Sequence, residues 1–191
     1  MSAADAPPPG LDGGFSVSDK HIHLAVHAGQ SVIRLIAQRG DDVWGASLRG
    51  VETDKPLPPQ WARAIHEFLA QHPDLDVHTI TLGASGLGRD TAHDLLPLVA
   101  GTTVRRIVLA HDSVTNYLGS IGDGEGCVIA ANTGTVCLAV GPRDTARVDG
   151  WGHLLGDAGS LYWIGRSALE AALRGHDGRR QMTALTRAMR D

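Results

Sequence analysis

Four short stretches place carboxylates, hydroxyls and glycines where they could do chemistry. Asp112 closes the run Ile107-Val108-Leu109-Ala110-His111-Asp112. It stands at the C-terminal end of a candidate strand, where open α/β sheets place their ligands. It also precedes a candidate helix over residues 113–118, where Asp is a common N-cap; the two roles are compatible. Thr133-Gly134-Thr135 can offer backbone N–H groups and hydroxyls to phosphate oxygens, because glycine lets the backbone come close. The plain alternative is a hairpin turn. In Gly150-Trp151-Gly152-His153-Leu154-Leu155-Gly156-Asp157-Ala158-Gly159-Ser160 a carboxylate, Asp157, sits in a glycine-rich loop just before a helix. Asp157 reads as a ligand contact or as a cap, and Trp151 as a pocket wall or a core residue. Gly29-Gln30-Ser31 forms a fourth turn with a hydroxyl.

The elements that must position these groups follow from hydrophobic periodicity. Residues 21–26, 32–37 and 42–48 read as three strands joined by short turns, an antiparallel meander. Pro58-Pro59 opens a helix in which Trp61, Ile65, Phe68 and Leu69 form one apolar stripe. A strand over 77–82, a helix over 91–99 interrupted by Pro97, and a strand over 104–110 follow. That alternation predicts parallel pairing for the later strands. The whole is α/β: the ribonuclease-H-like half of an actin-type fold. Residues 127–131 and 136–140 make a second hairpin of the same design as the first, with helices over 160–173 and 182–189. A two-lobed repeat of this kind is an actin-type signature. The second unit lacks the strands that follow the first meander. The expected organisation is a disordered extension over 1–20, a first lobe over 21–125 and an incomplete second lobe over 126–191.

The strings over residues 107–112, 127–135 and 150–160, in that order, resemble the N-acetylglucosamine kinases within the BadF/BadG/BcrA/BcrD ATPase family, which belongs to the actin-like ATPase superfamily. The resemblance implies ATP with Mg²⁺ as cofactor and an amino sugar as substrate, N-acetylglucosamine becoming its 6-phosphate. It assigns Thr133, Gly134 and Thr135 to the ATP phosphates, with Asn132 where the family usually has Gly, a change that Asn's backbone tolerance absorbs. It makes Asp112 the catalytic base, which orients the sugar hydroxyl and takes its proton. It assigns Gly150, Trp151, Gly152, Asp112 and Asp157 to the sugar. The family opens with a strand and Asp-Gly-Gly-x-Ser/Thr. Here that first phosphate loop is His27-Ala28-Gly29-Gln30-Ser31, so Gly29, Gln30 and Ser31 match while His27 stands in the acidic, Mg²⁺-holding position. Asp12-Gly13-Gly14-Phe15-Ser16 copies the motif, but it follows Pro7-Pro8-Pro9-Gly10, which cannot form the preceding strand.

Two readings remain open. One is a sugar kinase. The other is a module that binds an amino sugar without turnover, supported by His27, Ala28 and the absence of the region that supplies adenosine contacts. An iron–sulfur branch of the family needs cysteines for a shared cluster. Cys127 and Cys137, the two cysteines of the chain, read instead as core residues of one hairpin.

Composition sets the outer limits. The 191 residues are 42% hydrophobic and 20% charged, as in globular proteins. A formal net charge of −4 argues against nucleic acid as partner. No apolar run approaches the roughly 20 residues that span a bilayer, so no membrane contact is expected. No signal core precedes the first strand, and the chain reads as cytoplasmic. His21, His23 and His27 could suggest a metal site, but the barrel that uses such a pair is too large for this chain. They read as solvent-facing strand residues, and no protein metal ligand is assigned. The open face of the incomplete lobe predicts self-association, as a homodimer or otherwise.

Overall fold

In a computed structural model, the structure describes residues 22–88 and 91–189. The N-terminal extension expected over 1–20 lies outside the described residues, as does His21. The first sheet has five strands in the order β3-β2-β1-β4-β5. They are β1 (Ile22–Ala28), β2 (Val32–Arg39), β3 (Asp42–Arg49), β4 (Val77–Ala84) and β5 (Arg106–His111). β1 pairs antiparallel with β2, and β2 with β3, while β1–β4 and β4–β5 are parallel. This is the ribonuclease-H-like arrangement that the strand spacing predicts.

The period of two explains β1. Ile22, Leu24, Val26 and Ala28 are buried on one face, while His23 and Ala25 are exposed. β4 lies between β1 and β5 and is buried along most of its length, as an inner parallel strand must be. Helix α1 (Leu57–Gln71) carries the 3.6-residue stripe: Trp61, Ile65 and Phe68 are fully buried in the same core as β1, β2 and β4. Each such side chain is worth about 1.5–3 kcal/mol relative to exposure. Pro58, in the first turn of α1, costs nothing there, because its missing N–H would have had no partner. Helix α2 (Thr91–Leu98) contains Pro97 in its last turn and continues through it. The interruption expected at Pro97 does not occur, since so late a proline removes only a terminal bond.

Helix α3 (Asp112–Ile121) follows β5 directly. It packs against β4 and β5 on one side and against the second sheet on the other. That sheet has three antiparallel strands, β6 (Gly126–Ala131), β7 (Thr135–Val140) and β8 (Thr145–Asp149), in chain order. Helices α4 (Leu161–His176) and α5 (Ala184–Ala188) complete the described chain.

Along β6, residues 126, 128 and 130 are half-buried and residues 127, 129 and 131 exposed. The outer face stays open, with Ile129 67% and Val148 60% exposed. Cys127 is exposed and Cys137 half-buried on that face, with their sulfurs 3.2 Å apart, so the core placement expected for both is corrected. Their register explains it, because Cys137 pairs with Ile129 and with Val148 on the open side. Among the described residues no helix is long and apolar enough to cross a membrane.

Candidate functional site

A cleft of about 690 Å³ opens where the ends of β1 and β5, the start of α3 and the β6–β7 turn converge. It is lined by Gly29, Gln30 and Ser31, by Asp112, by Thr133, Gly134 and Thr135, and by Gly150, Gly152 and Asp157. Residues from four distant parts of the chain thus share one wall system. Trp151 is the exception: it is 77% exposed and does not line the cleft, so neither the wall nor the core reading of it holds. The backbone explains this. Gly150 and Gly152 both have positive φ, 76° and 81°, and the chain turns so sharply between them that the indole points outward.

Asp112 is the first residue of α3, and the cap is His111. The Ser113 backbone N–H donates to His111 Nδ1 at 3.2 Å. An N-cap role for Asp112 is thereby replaced. Its carboxylate is free for something else, at the positive end of a helix. Asp112 Oδ1 lies 2.8 Å from His111 Nδ1 and is shut off from solvent, yet has no hydrogen-bond partner. A buried acceptor in that state suits a donor that arrives with a ligand, such as a sugar hydroxyl. The side chain is 25% exposed, on the cleft.

His27, on β1, also lines the cleft and is half-buried, so it is not the solvent-facing histidine expected from the strand pattern. Burial lowers its pKa below the ordinary value, outweighing the Asp112 carboxylate, which raises it; Arg34 lowers it further. The first turn is closed by the Gly29 N–H donating to the Val32 carbonyl at 3.0 Å, and is tied down by the Val51 N–H donating to the Gly29 carbonyl at 3.0 Å.

The second turn and the glycine-rich loop form one hydrogen-bonded unit. The Thr135 N–H donates to Asp157 Oδ1 at 3.0 Å. A Cβ on Gly134 would come within 2.9 Å of that carboxylate, so only glycine allows the approach. The Asn132 carbonyl accepts from Leu161 N–H, the first of α4, at 2.9 Å. The Thr135 hydroxyl is buried and unpartnered. An orphaned hydroxyl beside free turn geometry fits a phosphate oxygen. Asp157 itself is only 8% exposed and has φ 58°.

Asp149 is the functional residue that motif reading missed. Its Oδ1 accepts from Gly150 N–H at 2.7 Å and from Asp157 N–H at 2.8 Å, and its Oδ2 from Ala158 N–H at 3.2 Å. One carboxylate so clamps both ends of the loop. The only signal in the sequence was an Asp directly before Gly150. The Asp157 N–H, then those of Ala158, Trp151 and Gly150, hold its pKa below the ordinary 3.8. A depressed carboxyl pKa contributes stability that is present above pH 3.8 and is lost as pH falls through the lower folded value. The loop amides of Asp157 and Ala158 should therefore lose hydrogen-exchange protection below pH 3.8, and Asp149→Asn should reduce that protection already at pH 7. Equal protection in the two proteins at pH 7 would refute the clamp.

The model of the BadF/BadG/BcrA/BcrD ATPase family matches residues 45–190. An N-acetylmuramic acid/N-acetylglucosamine kinase of Clostridium acetobutylicum is 37% identical over 81 residues, covering 42% of this chain and 26% of that protein. A solved candidate N-acetylglucosamine kinase from Chromobacterium violaceum superposes with TM-score 0.73 at 24% identity, covering 88% of this chain and 62% of that one. Another from Porphyromonas gingivalis gives TM-score 0.64 at 18% identity, covering 80% and 56%. This chain spans less than two thirds of each relative's length. The structural likenesses show the fold, that of the actin-like ATPases, with one sheet-rich lobe and a partial second.

Proposed function

The chain belongs to the BadF/BadG/BcrA/BcrD ATPase family, and from that premise we propose that its cleft binds ATP and an amino sugar and phosphorylates the sugar, N-acetylglucosamine being taken to its 6-phosphate. One observation carries the reading. Asp112 presents a buried, unpartnered carboxylate oxygen in the same cleft as two hydroxyl-bearing turns and a clamped glycine-rich loop.

ATP, when bound, supplies the phosphoryl group. The Thr135 hydroxyl and the backbone N–H groups of Thr133 and Gly134 would hold its phosphate oxygens, with Gly29, Gln30 and Ser31 lining the same cleft. Asp157, Gly150 and Gly152 hold the sugar. Asp112 would orient the reacting hydroxyl and take its proton as the γ-phosphoryl group passes to that oxygen, its bond to the β-phosphate breaks and ADP leaves. Among the described residues no group of three or more His, Cys, Asp or Glu is placed to hold a metal ion.

The second reading, sugar binding without turnover, has one specific support. His27 stands in the acidic position with its pKa lowered, so it is neutral at pH 7 and is a poor ligand for a hard cation. ADP release with N-acetylglucosamine across a Mg²⁺ series decides between the readings. The expected result is slow wild-type turnover that rises in His27→Asp. Sugar binding with no ADP release from either protein would favour the non-catalytic module. Robust wild-type turnover unimproved by His27→Asp would remove His27 from the phosphate site.

A further inference from the structure

The cleft holds a cation that no motif accounts for. Arg147 lies on β8 and pairs with Leu138 of β7, which pairs with Val128 of β6. Alternation along β8 places Arg147 on the same face as Asp149, two residues on. Arg147 and Val128 both line the cleft, and Arg147 is the one Arg or Lys among the described residues that does. Its guanidinium rests against the start of the glycine-rich loop. Nη2 lies 3.4 Å from the Gly150 carbonyl oxygen, a long hydrogen bond, and a Cβ on Gly150 would come within 2.8 Å of Nη2. The carboxylates of Asp112 and Asp157 line the same space, yet no ion pair among the described residues involves Arg147.

A guanidinium carries five N–H donors in a rigid fork that matches two oxygens of an anion. Here one donor makes a single long contact, and the residue is exposed and lines the cleft. Asp157 ties the loop to the phosphate-binding turn through Thr135. The fork therefore sits beside the junction of the sugar and nucleotide halves of the cleft. Carboxylates suit neutral hydroxyls; they repel anions. A cleft that must take an anion past Asp112 and Asp157 needs a counter-charge, and Arg147 is the available one.

Building on the sugar-kinase reading, we propose that Arg147 is the anion-binding residue of this cleft, its guanidinium gripping an oxyanion beside Gly150. That oxyanion comes either from the nucleotide's phosphates or from a carboxylate borne by the amino sugar. Both present planar or near-planar oxygen pairs to the fork, and the two sources separate by titration.

The test is calorimetry on the wild-type chain, Arg147→Gln and Arg147→Lys with three probes: N-acetylglucosamine, N-acetylmuramic acid (the same ring with a carboxylate) and metal-free ATP. Arg147→Gln should weaken at least one anionic probe about tenfold or more and leave the neutral sugar unchanged. Arg147→Lys should recover part of the loss, because it keeps the charge without the fork. A loss confined to ATP identifies the phosphates; a loss confined to N-acetylmuramic acid identifies an acidic amino sugar. An equal loss for all three probes would make Arg147 a loop anchor acting through Gly150, and would overturn the proposal, as would no loss for any. A wild-type chain that binds none of the probes would overturn the kinase reading itself and this proposal with it. Normal wild-type binding that Arg147→Gln leaves unchanged would overturn the Arg147 role alone.

Discussion

Asp112→Asn is expected to lower phosphoryl transfer by about 10²–10⁴-fold, the usual contribution of a positioned general base, while leaving sugar affinity within a few-fold. The amide is nearly isosteric and sits at the start of α3, so the fold has no reason to change. Capping is untouched, because His111 rather than Asp112 receives the Ser113 N–H. What the amide lacks is the ability to take a proton from the sugar hydroxyl. The measurement is ADP release at saturating sugar and Mg-ATP, paired with a sugar titration by calorimetry. An unchanged rate would take Asp112 out of the base role. A loss of affinity equal to the loss of rate would instead make it a binding residue, since only an interaction stronger in the transition state lowers the rate alone.

Asp157→Ala should weaken N-acetylglucosamine binding about tenfold or more, from the roughly 1.5–3 kcal/mol that a hydrogen bond to a charged group contributes. The structure adds a second consequence. Asp157 Oδ1 is the acceptor for the Thr135 N–H, and Asp157 has φ 58°. Alanine would leave that N–H without its partner and would force a Cβ residue without Asp's local hydrogen bonding into the left-handed region, at a cost of about 1–2 kcal/mol. The variant should therefore melt earlier as well as bind less. Asp157→Asn separates the two effects. Asn tolerates positive φ and keeps a carbonyl oxygen for Thr135, so stability should return while the charged contact to the sugar stays lost. Full sugar affinity in both variants would remove Asp157 from the sugar site.

The distance over which each feature is decided separates what could be read early from what could not. Alternating burial in β1 and the stripe of Trp61, Ile65 and Phe68 are local properties, repeating every two or 3.6 residues, so the first lobe was legible. The long glycine-rich string carried the family, because its spacing is too specific for an ordinary loop. β8 was missed: Thr145-Ala146-Arg147-Val148-Asp149 alternates polar and apolar residues, but over only five positions, with Ala146 and Val148 as its whole apolar side and both of them exposed. Without β8, neither Arg147 nor Asp149 could be given a place.

Residue types and motif spacing by themselves determined the α/β fold, the two hairpins of like design and a set of candidate residues that mostly meet. Only the tertiary structure decided how those residues are used. Asp157 reaches Thr135 across 22 positions in sequence, and Asp149 holds backbone N–H groups eight and nine positions away. His111 takes the cap and frees Asp112; Trp151 turns outward; His27 becomes half-buried beside a carboxylate. Hydrogen bonds to backbone amides and the burial of a side chain depend on which segments pack together. Neither has a period along the chain, and so neither leaves a pattern in the sequence for local reading to find.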